Sequence, residues 1–293
     1  MRKLLVMLWL ALVASQGYSQ VLYWDLPASP DRVALGDGSY FLPLTQTGAS
    51  QNPAYLGLAK CRWLSAAGTQ WWQEVYAGSA DAIEPFGRWG AASLSLGYWS
   101  LGSLTRIDDD GQPLGTIQSQ ASLLGLGYGL ALDQRWMAGI YARTSRLGLP
   151  DRYDWGWSSD IALGYRQGIF LASLVARNLG PEYPRNSEVK RPLATQASVG
   201  LRASLLEGRA AGSLHYSRND GQGNPGLSLE YSPIRELSLK LGYERNPGRE
   251  ERSPLGLGLE IKRLGQRDLS IGYGFRSFGG LGQIHSLSLG ACF

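Results

Sequence analysis

Residues 283–293 read QIHSLSLGACF, and their side chains alternate strictly between two characters. Leu287 and Leu289 fall on one face, whereas Ser288 falls on the other. A period of two is the pattern of a β-strand with one apolar face and one small or polar face. We expect the apolar face to meet lipid, with Phe293 at the membrane boundary, as in the closing strand of a transmembrane barrel.

The same alternation recurs along the chain from residue 59 onward. Leu, Ile or Tyr alternates with Gly, Ser, Ala or a charged residue in segments 94–98, 124–131, 161–166, 227–231, 237–244, 255–262 and 269–276. Counting back from the C-terminus gives about fourteen strands, joined by short turns at one end and longer polar loops at the other. The sequence therefore predicts an all-β fold, a transmembrane antiparallel β-barrel; a soluble sandwich or propeller is the alternative.

Aromatic residues mark the predicted lipid face. A Gly-Tyr pair recurs near the ends of five of these segments. A tyrosine there can place its ring in lipid and its hydroxyl in water, although a core tyrosine of a soluble sandwich would fit the same pattern. The predicted interface aromatics are Tyr98, Tyr128, Tyr165, Tyr243, Tyr273 and Phe293. Trp71, Trp72, Trp155 and Trp157 are interpreted in the same way.

The N-terminus has the pattern of an export signal. Arg2 and Lys3 precede an apolar run over residues 4–14, and small and polar residues follow up to Gln20. The run is too short to span a bilayer as a helix, so we interpret residues 1–19 as a cleaved signal peptide. The protein is therefore expected to leave the cytoplasm.

Composition agrees with an exported β-protein and argues against other classes. The chain has 39 Gly, 15 Tyr and 10 Trp but only 18% charged residues, which suits strands punctuated by glycine and aromatics. The formal charge of +4, lower still without the signal peptide, gives no support to a nucleic-acid partner. His215 and His285 lack a serine and carboxylate pattern, and the run at 108–111 lacks the distal Glu of a calcium loop. No catalytic residue, cofactor or metal site is predicted.

Residues 20–58 differ from the rest of the mature chain. They carry several prolines and glycines without alternation, yet too many aromatic and aliphatic residues for a disordered tail. We expect an ordered plug or hatch over 20–58, with one short helix around 32–44, followed by the barrel over 59–293. Gly36 and Gly38 would allow tight backbone turns, and Asn52-Pro53 favours a turn into the first strand.

Two stretches resemble a known family. Residues 32–40, RVALGDGSY, and 51–57, QNPAYLG, look like the N-terminal signature of PorV/PorQ-type outer-membrane proteins, and residues 177–180, RNLG, are similar to a later family motif. The resemblance implies a FadL-like barrel of fourteen strands with an N-terminal hatch. The matching motif residues are Gly36, Gly38, Asn52, Pro53 and Ala54. Two departures stand out, since Asp37 precedes Gly38 where a Gly-Gly pair is common, and residues 44–47 replace an acidic run.

The resemblance implies a location and a role. The location is the outer membrane of a Gram-negative-type bacterium, with outer-membrane lipid as the surrounding partner. The role is a non-enzymatic component or accessory of type IX-like secretion that binds secreted cargo proteins or secretion-system subunits. The alternative is a FadL-like channel for small hydrophobic molecules, and a structural barrel is a third possibility.

The two cysteines stand near the two ends of the predicted barrel. Cys61 opens the first strand, and Cys292 is one residue from the end of the last. Because first and last strands pair antiparallel in a closed barrel, both residues should lie at the same rim, in a compartment that permits disulfides. A bond would join the seam. The alternative is two unpaired small residues that face different ways.

Overall fold

The computed structural model describes most of the chain beyond the predicted signal peptide. The described residues are 26–43, 51–71, 75–108, 112–149, 152–184, 191–192, 195–219, 222–245, 254–262, 268–278 and 282–293. The predicted signal peptide, the first residues of the predicted plug, Trp72 and most of the 108–111 run lie outside this part. No helix in the described part has the length and hydropathy of a membrane span.

Fourteen antiparallel strands form a closed barrel, as predicted. They are β1 (Trp63–Gln70), β2 (Val75–Pro85), β3 (Ala91–Ile107), β4 (Pro113–Ala131), β5 (Trp136–Leu149), β6 (Arg152–Gln167), β7 (Phe170–Leu179), β10 (Gln196–Leu205), β11 (Ala210–Asn219), β12 (Gln222–Ile234), β13 (Leu237–Glu244), β14 (Leu255–Lys262), β15 (Asp268–Ser277) and β16 (Gln283–Cys292). The last strand pairs with the first, Trp63 opposite Cys292, so the sheet has no free edge there. Two short strands, β8 (Pro181–Pro184) and β9 (Arg191–Pro192), extend the sheet beside β6.

The two ends of the barrel differ in their connections. At the end where β16 finishes, here called the C-terminal rim, short turns at 132–135, 168–169, 206–209 and 235–236 join the strands. The opposite end, the loop rim, carries the two longest connections, 180–195 and 245–254, and β3 and β4 extend there beyond their neighbours. Residues 67–69, Ala-Gly-Thr, suit a turn by composition, and from the sequence we expect one there; in the structure they lie inside β1. The outward residues Ala66 and Gly68 are small, so β1 lacks the bulky alternation that identifies the other strands.

Bulky and small residues lie on opposite faces of the wall, in the predicted register. Leu257 of β14 lies on the outside and is 52% exposed. Its cross-strand partner, Leu241 of β13, also lies on the outside and is 38% exposed. Ser238 and Ser286 face the lumen and are almost completely buried. An apolar exterior around a filled interior is the arrangement of a membrane barrel.

Leu257→Arg is expected to lower the free energy of unfolding by about 2–4 kcal/mol if the position lies near the bilayer midplane, because a guanidinium would enter hydrocarbon. Leu257→Met, which keeps an apolar side chain, should unfold like the parent. Urea titration of both variants in lipid vesicles measures the difference. An arginine variant as stable as the methionine variant would mean that this face does not meet lipid.

The N-terminal segment lies inside the barrel. It consists of helix α1 (Pro30–Leu35), a 3-10 turn over Gly36–Phe41 and a second 3-10 turn over Pro53–Leu58. Ser29 caps α1 by accepting a hydrogen bond from the Arg32 amide, and the helix ends at Gly36, whose φ is 59°. The helix is therefore shorter and begins earlier than the predicted 32–44. We call the described residues 26–43 and 51–58 the plug.

The plug contacts the wall around most of its circumference. Helix α1 packs against β13 to β16, the first 3-10 turn packs against β7 and β10 to β13, and the second packs against β3 to β6. Leu35, Phe41 and Leu56 are completely buried at these contacts. The hydrophobic core of the molecule therefore lies between plug and wall.

Candidate functional site

Glycines of the wall seat the backbone of the plug. A Cβ atom added to Gly242 or Gly256 would come within 2.4 and 2.2 Å of the carbonyl oxygen of Ala34. A Cβ on Gly274 would lie 2.4 Å from the carbonyl oxygen of Pro30. Two further wall glycines approach Pro53 in the same way: Gly129 and Gly139. These small residues of the lumen face thus make room for the plug backbone.

The motif glycines of the plug approach the wall equally closely. A Cβ at Gly36 would lie 1.8 Å from Oε2 of Glu244, and its positive φ disfavours any side chain. A Cβ at Gly38 would lie 1.9 Å from Oγ of Ser228. Both positions therefore require glycine for the plug to fit against β12 and β13.

Asp37, the departure from the family pattern, is an anchor between these glycines. Its carboxylate forms an ion pair with Nη1 of Arg32 at 2.8 Å and accepts a hydrogen bond from Nε2 of Gln196 at 2.9 Å. Its backbone amide donates to Oε2 of Glu244 at 3.3 Å. A side chain that sequence reasoning treated as a deviation thus connects the plug to β10 and β13.

Asn52 connects the two halves of the plug and attaches them to β7. Its Nδ2 donates to the carbonyl oxygen of Tyr40 at 2.8 Å and to Oγ of Ser173 at 2.9 Å. Its Oδ1 accepts from the amide of Ala54 at 3.2 Å and so caps the turn that begins at Pro53. The motif residues Asn52, Pro53 and Ala54 are all buried in this arrangement.

Two buried cations of the wall hold helix α1. Nζ of Lys240 lies 2.5 Å from Oδ1 of Asp31 and 2.8 Å from Oε2 of Glu260. Arg276 donates from Nε to the carbonyl oxygen of Val33 at 2.8 Å and from Nη2 to that of Ala34 at 3.1 Å. These carbonyls belong to the last turn of the helix, where a cation is favourable.

A third anchor surrounds Tyr40. Two guanidinium groups lie over its ring, with the Cζ atoms of Arg32 and Arg177 at 4.3 and 4.6 Å from the ring centroid. Arg177 also donates to the Tyr40 hydroxyl. Asp160 accepts from Arg177 at 3.3 Å and from Arg143 at 2.5 Å, which fixes both arginines on the wall.

Two separate spaces flank the plug. The first, here called the side cavity, has a volume of about 90 Å³ and lies between the start of the plug and strands β2 to β5. Its lining includes Leu26 of the plug and Asp81, Trp99, Leu123 and Tyr141 of the wall. The second, the vestibule, has about 510 Å³ at the C-terminal rim. Its lining is mixed and includes the charged residues Arg202, Glu230, Glu260 and Lys262.

The side-cavity residues were not predicted from the sequence. In the sequence, Asp81 looks like any other polar residue of the lumen face. Trp99 directly follows Tyr98, which is a predicted interface aromatic, but Trp99 itself has no predicted role. The local sequence signal for this cavity is Asp81 itself, an acidic residue on the small-residue face of a segment that alternates only weakly. Of the two histidines, His215 stacks on Phe41 with ring centroids 5.9 Å apart, and His285 forms a hydrogen bond with Tyr273.

The predicted interface aromatics all face outward. Tyr165 lies near the C-terminal rim, 4.7 Å between ring centroids from Trp136, and the Tyr128 hydroxyl donates to the carbonyl of Trp89. The others on this face are Tyr98, Tyr243, Tyr273 and Phe293. Their role at the membrane boundary stays a prediction.

Trp71 is a correction to the same interpretation. It is buried, its Nε1 donates to the carbonyl of Pro27 at 3.3 Å, and its ring lies 5.7 Å from that of Phe278. Trp71 follows the end of β1 at the loop rim, where the start of the plug lies beneath it. It therefore covers the plug and does not face lipid.

The structure joins Cys61 and Cys292 by a disulfide at the C-terminal rim. The sulfur atoms are 2.02 Å apart and the Cα atoms 5.8 Å apart. Backbone hydrogen bonds between Arg62 and Phe293, at 2.9 and 3.2 Å, extend the β1–β16 pairing by one residue past Trp63 and Cys292. In the described part of the chain, no group of three or more His, Cys, Asp and Glu residues could hold a metal ion.

Comparison with known proteins identifies the architecture. No family profile and no curated protein matches this chain. Among solved structures, the toluene transporter TbuX of Ralstonia pickettii matches with a TM-score of 0.64 at 12% identity, over 96% of this chain and 100% of TbuX. The fold is that of FadL-type barrels. A Pseudomonas aeruginosa FadL homologue matches with a TM-score of 0.61 at 9% identity, over 91% of this chain and 98% of its own.

A second toluene transporter gives the same result. TodX of Pseudomonas putida matches with a TM-score of 0.60 at 9% identity, over 94% of this chain and 97% of TodX. At such identities the likeness shows the fold alone. The FadL-like barrel implied by the family resemblance is confirmed, whereas the comparisons give no support to a PorV/PorQ identity or to a type IX secretion role.

Proposed function

We propose that this protein is an outer-membrane channel for small hydrophobic molecules, which was the alternative hypothesis from the sequence. The observation that carries the proposal is the side cavity, a small and partly apolar space between the plug and the wall of a FadL-type barrel. The matched structures described as toluene transporters support it. The channel function therefore replaces the role in secretion as the leading hypothesis.

The side cavity has the size and lining for one small apolar molecule. Its volume of about 90 Å³ is of the same order as the ~150 Å³ of an engineered cavity that binds benzene. The indole of Trp99 packs with Ala77 and Ala121 of the neighbouring strands and with Leu26 and Leu123. An aromatic or short aliphatic molecule would replace water against this surface at a gain in free energy.

The vestibule is suited to the release of a permeant from the C-terminal rim of the barrel. It is wider than the side cavity, and its lining carries the ion pair between Arg202 and Glu230 and the exposed end of Lys262. A hydrated, charged surface holds an apolar solute weakly. A permeant that passes the plug would therefore leave the protein from this space.

Leu123→Trp is expected to lower the initial uptake of radiolabelled toluene several-fold, because the larger ring fills the side cavity. The matched control is Leu124→Trp, which places the same ring on the outward face of β4. Uptake is measured in intact Gram-negative cells that lack their own FadL-type channels. Parent cells that take up no more toluene than cells with an empty vector would contradict the proposed function, as would equal uptake by the two tryptophan variants.

A further inference from the structure

Asp81 is a buried carboxylate that forms no ion pair with the residues the structure describes. It lies on β2 in the wall of the side cavity and is only 5% exposed. Within the described part of the chain its partner is Ser95, whose Oγ donates to Oδ1 at 2.5 Å. A carboxylate buried without a counter-charge costs free energy, and natural proteins keep such groups mainly where they serve a function.

The arginines that line the same cavity are occupied elsewhere. Arg143 and Arg177 pair with Asp160, and Arg32 pairs with Asp37. The carboxyl group of Asp81 therefore has acceptor capacity left toward the cavity, since Ser95 occupies only one of its two oxygens.

Two glycines of the wall leave room for two aromatic side chains near this carboxylate. A Cβ on Gly97 would lie 2.5 Å from Cη2 of Trp99, so the indole lies back along β3 in the direction of Ser95. A Cβ on Gly125 would lie 1.8 Å from the hydroxyl oxygen of Tyr141, so this side chain crosses β4 in the direction of β3. One acceptor thus stands beside two aromatic walls in one small space.

We infer that the side cavity binds a small aromatic molecule that carries a neutral hydrogen-bond donor, of the phenol class. The ring would lie against Trp99 and Leu123, and the hydroxyl would donate to Asp81. A cationic aromatic is disfavoured because three arginines line the same space. This inference rests on the proposed function, since it assigns the class of permeant that the channel selects.

The test is equilibrium binding to the purified protein in detergent, by calorimetry, with phenol, toluene and benzylamine as probes. Phenol should bind about tenfold more tightly than toluene, because a hydrogen bond to a charged group in a buried site is a strong one. Asp81→Leu should abolish the preference, so that phenol binds no more tightly than toluene does to the same variant. Ala82→Leu, on the outward face of the same strand, is the matched control and should change neither affinity.

Folding is monitored by heat-modifiable gel mobility, and Asp81→Asn serves as a second variant that retains the side-chain size. The amide variant should lose part of the phenol preference. Equal binding of phenol and toluene to the parent, or a phenol preference that survives both Asp81 variants, would overturn the inference. Tighter binding of benzylamine than of phenol would overturn the neutral-donor class.

The toluene uptake assay separates this inference from the proposed function. A parent that transports toluene but does not distinguish phenol in the binding assay retains the proposed function and loses the inference. A parent whose phenol preference depends on Asp81, but that transports nothing, retains the binding site and loses the channel.

Discussion

Lys240→Met should lower the free energy of unfolding by about 3–5 kcal/mol, the usual cost of removing one partner from a buried ion pair. The side chain of Lys240 is 3% exposed, and its ammonium group contacts Asp31 of the plug and Glu260 of the wall. Its removal leaves the Asp31 carboxylate buried without that cation, while Glu260 retains Lys262 at 3.4 Å. Urea unfolding of the parent and variant in detergent micelles measures the loss.

Lys262→Met is the matched control. The side chain is 41% exposed and contacts the same Glu260, so its removal should cost less than about 1 kcal/mol. Asp31→Asn combined with Lys240→Met should recover part of the loss, because the uncompensated charge is gone. A loss for Lys240→Met no larger than that for Lys262→Met would show that the buried ion pair does not hold the plug.

Replacement of both cysteines by serine should lower the free energy of unfolding by about 5 kcal/mol in the chain-entropy model of a disulfide. The bond closes a loop with a sequence separation of 231 residues, which makes its effect on the unfolded chain large. The single variants Cys61→Ser and Cys292→Ser should each lose as much as the double variant. The parent treated with reductant should match them.

The bond itself is tested by a non-reducing gel of trypsin-nicked, denatured protein. The sequence has only two cysteines, so fragments of one chain can be joined only through Cys61 and Cys292. The fragments that carry these residues should migrate together without reductant and separate with it. Fragments that separate in both conditions would exclude the disulfide.

Alternation of side chains was enough to predict the barrel, since the bulky face of β13 to β16 is almost uninterrupted. It failed at β1, where the outward positions Ala66 and Gly68 are as small as the inward ones. Period-two reasoning depends on a difference in size between faces, and here that difference is absent. The count of about fourteen strands is nevertheless confirmed.

The contacts of the plug could not be predicted in the same way. Asp31 and Lys240 are 209 residues apart, and their pairing depends on which strands helix α1 meets inside the lumen. Asp81 illustrates the same limit. In the sequence it resembles Asp160 on the same small face, but Asp160 lies between two arginines and Asp81 faces a cavity. Only the three-dimensional arrangement separates a structural carboxylate from a binding one.

The disulfide makes residues 61–292 a covalent ring, and the plug is the tail of that ring, folded back into its centre. The plug is thus covalently attached to the ring only at residue 61. Separation of β1 from β16 along their length would open a gap between strands but would not break the ring, because the bond at the C-terminal rim still joins its ends. The seam can therefore open only from the loop rim, because its two strands stay joined at the C-terminal rim.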